Sequence, residues 1–276
     1  MSWLGAVPFL SYVFLFLLLP TGIVVFGAFA GTGGPTMANV KALGDGYVVD
    51  AFVHSFVLSA VSALIGAVVG GLLAYAIATG KKDGLLRRVS TSACGVLAQF
   101  GGVTLAFAFI ATIGGEGFIT VWLRTHGLDI YANGVWLYQL NGLTLVYTYF
   151  QIPLMVLVFL PALDGIRPQW REAASSLGGS TWEYWRHVAI PLLTPAFLGA
   201  TLLLFANAFS AYATAAALIN QGGIIVPLQI STALSSEVIL GRENFGKALA
   251  LGMIVVVTVV MSLYALLQRR AARWLK

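Results

Sequence analysis

The sequence predicts an all-α membrane protein built on six transmembrane helices, and three observations point there. Hydrophobic residues make up 59% of the 276-residue chain and charged residues only 9%, against about a quarter charged in a soluble domain. The apolar residues gather into six runs, each near the roughly 20 residues that cross ~30 Å of hydrocarbon. The charges lie almost wholly between those runs. A mean hydropathy of +0.91 agrees. Ten acids and fifteen bases are too few to cover a water-facing surface of this length without large exposed apolar patches. The single cysteine, Cys94, cannot form an internal disulfide.

The runs cover residues 6–29, 51–79, 92–113, 142–161, 192–219 and 246–267, and residues 1–276 read as one transmembrane domain. Lys and Arg are nearly absent from them, since each costs about 2.5–3.5 kcal/mol at mid-span. Lys247 sits at the lip of the last run, where its stem reaches the interface. His54 lies near the start of the second. The first run ends in Ala28-Phe29-Ala30-Gly31, which imitates a signal-peptidase site. No base precedes it, and it is longer than a signal peptide's apolar core, so it is expected to stay as a span.

The loops predict the orientation. Lys81, Lys82, Arg87 and Arg88 follow the second run, Arg167, Arg171 and Arg186 the fourth, and Arg269, Arg270, Arg273 and Lys276 the sixth. The opposite loops hold Lys41, Arg124 and Arg242. Excess bases mark the cytoplasmic side, so both termini are expected there. This asymmetry accounts for the net charge of +5 without a nucleic-acid partner.

Several chemistries lose support. Residues 241–247 match the phosphate-loop pattern, but Ala248 stands where a Mg²⁺-holding hydroxyl belongs and no strand precedes it, so this chain is expected to bind no ATP. His54, His126 and His187 are far apart and show no metal-ligand spacing. No Gly-x-Ser-x-Gly elbow exists. Apart from His54, no ionisable group sits clearly inside a run, so a proton-coupled carrier lacks its usual acid. An integral membrane enzyme has no residue cluster to support it.

The informative stretch is the loop 162–190, longer than a simple reversal needs. Pro168 suits the first turn of a helix, and Trp170, Ala173, Ala174 and Leu177 then fall at i, i+3, i+4 and i+7, one apolar face. Glu172 is expected in the first turn, where negative charge suits the helix dipole. Gly178 and Gly179 read as a C-terminal cap, and Ser180 with Glu183 as a capping box opening a second short helix. Trp182, Trp185 and Val188 would line one side of that helix, with Pro191 and Pro195 bracketing its passage into the fifth span. These residues alone leave two readings open: a pair of helices lying among lipid headgroups, or a docking knob for a soluble partner.

Glu172-Ala173-Ala174, three residues, Gly178, nine residues, then Val188-Ala189-Ile190-Pro191 resembles the EAA loop of bacterial ABC-importer permeases across 20 residues. Ser55, Ser59, Gly66, Gly70, Ala74 and Tyr75 resemble that family's second core helix, although His54 stands where the family usually has Asn. The resemblance implies a type I ABC importer permease fold whose cytoplasmic coupling helix lies between helices 4 and 5. It implies a non-catalytic subunit of the bacterial inner membrane, closest in look to the polyamine and phosphonate group. Its implied partners are two cytoplasmic ATPase subunits holding ATP and Mg²⁺, a second and different permease subunit, and an extracytoplasmic binding protein. Under it, Glu172 offers a carboxylate to a basic group on the ATPase, Ala173 and Ala174 permit close approach, Leu177 completes the apolar face, and Gly178 supplies the turn. The runner-up is an ion-coupled carrier whose inner loop is merely interfacial.

Within the spans, Ser55, Ser59, Ser62, Gly66 and Gly70 form a stripe of small residues that reads either as static close helix packing or as a sliding surface between two halves. Asn207, Ser210 and Thr214 fall at i, i+3 and i+7 on the fifth run, with Tyr212 nearby. That polar row reads either as pathway lining or as interhelical hydrogen bonding. The outer loops carry Asp45, Asp50, Glu116, Asp129, Glu237 and Glu243 against three bases. That acidic excess reads either as suiting a cationic, polyamine-like solute or as the charge sidedness already counted, with organophosphonate, ferric and sulfate-like solutes as the alternatives.

Overall fold

In the computed structural model the described residues are 3–31, 33–81, 83–132, 134–219, 223–235 and 244–272. Gly241, Arg242 and Glu243 of the phosphate-loop pattern lie outside them, as do Lys82, Glu237, Arg273 and Lys276. Six helices are long and apolar enough to cross a bilayer: Val7–Ala28, Gly46–Ala78, Gly102–Thr125, Leu140–Asp164, Thr181–Ser210 and Phe245–Leu266. The chain divides into two compact units, residues 1–55 with 221–258, and residues 56–220 with 259–276.

In the first unit, α1 (Trp3–Val13) passes through a π-helical stretch (Phe14–Leu18) into α2 (Leu19–Ala28). The wide turn ends two residues before Pro20, whose ring would clash with the carbonyl four residues back in a regular helix. A two-stranded antiparallel hairpin follows, β1 (Ala30–Gly31) with β2 (Gly34–Pro35), then α3 (Ala38–Lys41) and the start of α4 (Gly46–Ala78). The unit is completed by α13 (Val226–Ser235) and the first half of α14 (Phe245–Ala272). Val48, Ala51, Val226, Phe245 and Leu249 form its core. Two side-chain amides, from Asn39 and Asn244, donate to the Ala30 carbonyl at 3.0 and 2.9 Å. Lys247 Nζ donates to Asn244 Oδ1 at 2.7 Å. Its stem covers Gly27 so closely that a Cβ there would lie 2.4 Å from Cδ.

The start of α13 hangs on α4. Ser55 Oγ accepts from the buried Val226 N–H at 2.9 Å, and Gln229 Nε2 donates to the Tyr47 and Gly223 carbonyls. His54 Nδ1 lies 3.3 Å from the Ile224 carbonyl, which can only accept, so Nδ1 carries the proton in this contact.

The second unit is built around α8 (Leu140–Asp164), which is continuous through Pro153 and Pro161 and the most enclosed of the six crossings. Against it pack α5 (Leu85–Gln99) and α11 (Ile190–Ser210), while α6 (Gly102–Ile113) packs on α12 (Ala213–Leu218). The remaining helices are α7 (Phe118–Thr125), α9 (Pro168–Ser176) and α10 (Thr181–Tyr184). Arg87 at the start of α5 pairs with Asp164 at the end of α8.

Three expectations are corrected here. The run 92–113 is not one helix: Gly101 is extended and Gly102 has φ +67°, so α5 stops before them and the third crossing is Gly102–Thr125. Two consecutive glycines give a turn that apolar averaging cannot register. The run 192–219 also divides. α11 ends at Ser210, with the Ala211 carbonyl taken by Tyr147 Oη at 2.6 Å. Finally, α10 is not a separate short helix. It continues through a π-helical stretch, Trp185–Ala189, into α11. That wide turn again ends two residues before a proline, Pro191, and gives its ring room.

Candidate functional site

The loop 162–190 folds as its residues direct. Arg167 is extended (φ −81°, ψ 131°), as the residue before a proline should be, and Pro168 opens α9. At the other end Leu177 leaves helical geometry and Gly178 adopts φ +81°. The Gly178 N–H donates to the Ser175 carbonyl at 3.0 Å and the Gly179 N–H to the Ala174 carbonyl at 2.9 Å. This pair of bonds is the Schellman arrangement, which satisfies two carbonyls that the helix end would otherwise strand. Ser180 and Glu183 then close a reciprocal box: Ser180 Oγ accepts from the Glu183 N–H at 3.3 Å, and Glu183 Oε2 accepts from the Ser180 N–H at 2.7 Å. A helix stop and a helix start are thus fused across two glycines.

Glu172 is the fifth residue of α9, one residue past the first turn in which the sequence placed it. Its side chain is exposed and in no ion pair among the described residues. Ala173, Gly178 and Leu177 are exposed as well, Leu177 at 89% of its full surface. Leu177 alone would need no explanation, and it gains weight only because it continues the apolar face of α9. Ala174 is half-buried.

The apolar face of α9 borders a groove of about 800 Å³. Trp170, Ala173, Ala174 and Leu177 form one wall, and Val188, Pro191, Leu192 and Pro195 the other, with His187 and Thr194 as its polar members. The second wall was not read from the sequence as part of a site. Its signal was Pro191 and Pro195, four residues apart and therefore on one helix face. Trp182, expected beside Trp185 and Val188, instead points outward, while Trp185 turns in to meet the Tyr75 ring edge-on at 5.4 Å.

The small-residue stripe on α4 lies inside the protein. Ser55, Ser59 and Ser62 are buried, and so are Gly66 and Gly70. A Cβ at Gly66 would sit 2.5 Å from Gln151 Cβ, and one at Gly70 would sit 2.5 Å from the Ile152 carbonyl oxygen. Gln151 is fully buried where α4, α8 and α11 meet, and its Nε2 donates to the Leu204 carbonyl at 2.9 Å. The polar row of the fifth run is split by the end of α11. Asn207, Ser210 and Tyr212 are exposed, and Ser210 Oγ donates to the Ala206 carbonyl of its own helix at 2.8 Å. Thr214, on α12, is enclosed at 3% exposure.

No family model matches the chain. It is 27% identical to the sulfate transport system permease protein CysT of Escherichia coli (strain K12) over 174 residues, 62% of this chain and 58% of that protein. It is 28% identical to the spermidine/putrescine transport system permease protein PotB of Haemophilus influenzae over 117 residues, 42% of this chain and 40% of that protein. The chain thus spans about half the length of these curated relatives. Among solved structures, a bacterial ABC transporter involved in the import of the acidic polysaccharide alginate superposes with a TM-score of 0.76 at 17% identity. That match covers 100% of this chain and 96% of the other. The fold is that of a type I ABC-importer permease. At this identity the structural likeness is one of fold alone, and kinship rests on the sequence relatives. Within the permease fold, α9 and its double-glycine turn fall between the fourth and fifth crossings.

Proposed function

We propose that this chain is the membrane-spanning permease subunit of an ATP-driven importer, and that α9 with its Gly178–Gly179 turn is the helix through which a cytoplasmic ATPase drives it. The observation that carries this reading is an exposed helix, stopped and restarted within a few residues, presenting Leu177 and an apolar groove left uncovered among the described residues. The EAA-like spacing falls on that same segment. Charge sidedness supports placing it, and both termini, on the cytoplasmic side of a bacterial inner membrane.

Mechanically, the chain converts movement at α9 into helix rearrangement. Closure of an ATPase pair displaces the docked α9, and α8 and α11, to which it is joined, shift between inward-open and outward-open packings. The nucleotide and solute sites are coupled because each favours one of the two states. The remaining partners in this reading are a second permease subunit of different sequence and a solute-binding protein. The solved alginate transporter was captured with a periplasmic protein carrying an alginate pentasaccharide, which supports the last of these. Asn207, Ser210 and Tyr212, uncovered on one stretch of α11 and just beyond it, are the candidate pathway residues.

For cargo, the finer reading is a polyamine-like cation, supported by Asp45, Asp50, Glu116 and Asp129 in the outer loops and by the PotB relative. The assay is uptake into inverted-free proteoliposomes holding the whole complex, with labelled spermidine and labelled sulfate in parallel. ATP-dependent spermidine uptake, lost in Glu172→Ala and reduced in Gly178→Ala with folding intact, is the expected result. Sulfate uptake in its place overturns the cargo. Uptake that ignores ATP and follows an ion gradient overturns the importer.

A further inference from the structure

Arg87 and Asp164 each sit at the wrong end of a helix. Arg87 is the third residue of α5, where a cation faces the positive end of the helix dipole, and Asp164 is the last residue of α8, where an anion faces the negative end. Neither position stabilises its own helix. What they do is meet: Arg87 Nη2 donates to Asp164 Oδ2, with the two side chains at 15% and 34% exposure. Arg87 Nη1 is buried and has no partner among the described residues, so the guanidinium is held inside for this one contact.

Asp164 also stands directly at the root of α9. The Gly165 N–H donates to the Pro161 carbonyl at 3.1 Å and the Ile166 N–H to the Leu163 carbonyl at 3.2 Å, so hydrogen bonding continues past the end of α8. Only Arg167 separates Ile166 from Pro168, and its extended backbone leaves little slack. A short covalent link thus joins α9 to Asp164.

We propose that the Arg87–Asp164 pair is a positioning strut that fixes the root of α9 and passes its movement into α5, giving α9 a second route into the spans besides α8. This rests on the coupling reading above. By it, α5 carries the movement toward the Gly101–Gly102 break, the point where the polypeptide can bend before the third crossing. Arg87 thus has a task beyond marking the cytoplasmic side. An ordinary exposed ion pair contributes little, so the test must separate a strut from a decoration.

The test uses the full chain, with its ATPase partners, in lipid nanodiscs for hydrogen exchange and in proteoliposomes for uptake per ATP hydrolysed. The variants are Arg87→Gln, Asp164→Asn, and the exchanged pair Arg87→Asp with Asp164→Arg, which keeps the local count of bases. Each single variant should raise exchange across residues 165–176 by about tenfold and lower uptake per ATP several-fold. The exchanged pair should restore both, which a merely structural loss at either site would not. Singles that exchange like the wild type, or an exchanged pair as loose as the singles, overturn the strut. Looser exchange with unchanged uptake per ATP overturns its part in coupling. Exchange reads the strut even if the wild-type complex shows no ATP-driven uptake, a result that would instead sink the coupling reading.

Discussion

Replacing Gly178 by alanine isolates the geometry of the turn from its sterics. A Cβ built at Gly178 meets nothing within 4 Å, so no clash arises, and the whole penalty comes from holding an L residue at φ +81°. That costs about 1–2 kcal/mol, offset by roughly 0.4–1 kcal/mol because alanine restricts the unfolded chain more than glycine does. The net is about 1 kcal/mol, or up to roughly fivefold in the population of the formed turn. The turn is exposed and rests on two backbone bonds, so it has little reserve with which to absorb the loss. Titrating purified ATPase subunit against the permease in nanodiscs should therefore show Gly178→Ala weakening the dissociation constant by about two- to fivefold. Gly178→Asn should weaken it less, since asparagine enters the left-handed region more readily. If alanine binds like glycine, or asparagine is as poor as alanine, the turn is not what the ATPase reads.

Four other substitutions test local packing and capping. Gly70→Ala should lower the thermal midpoint in detergent by the equivalent of about 1–3 kcal/mol, because the new methyl would meet a backbone carbonyl oxygen and Met155 Cβ at 2.5 and 2.6 Å. Gly95→Ala, with open space around it, should leave the midpoint unchanged or slightly raised. Ser55→Ala strands the buried Val226 N–H and should cost about 1–3 kcal/mol, read as faster hydrogen exchange at the start of α13. Ser180→Ala breaks the capping box and should destabilise the start of α10 by about 1 kcal/mol, seen as exchange rising over residues 181–184 while α9 is unaffected.

The parts of the fold that were legible in the sequence are those specified by neighbours. Pro168, Gly178, Ser180 and Glu183 act within three or four residues of themselves, and each stands in the structure as its local chemistry requires. The small stripe from Ser55 to Gly70 was legible for the same reason, since its period is that of one helix. What was not legible depended on partners distant in the chain or on backbone that apolar counting ignores. α11 stops at Ser210 without a glycine or proline there, and the carbonyl it frees is taken by Tyr147 from 64 positions away. The break at Gly101 is invisible to hydropathy, because the apolar last turns of α5 run straight on into α6. Both π-helical stretches end two residues before a proline, Pro20 and Pro191, and the wide turn is what lets the helix continue. Glu172 falls one residue outside the first turn, which counting from Pro168 already shows.

The most direct measurement is the accessibility of position 177. On a Cys94→Ser background, Leu177→Cys should react quickly with a membrane-impermeant maleimide applied to the cytoplasmic face of inverted vesicles. Once the ATPase subunits are bound, the same thiol should be shielded. Labelling that is indifferent to the ATPase, or that occurs only from the opposite face, would contradict the docking of α9.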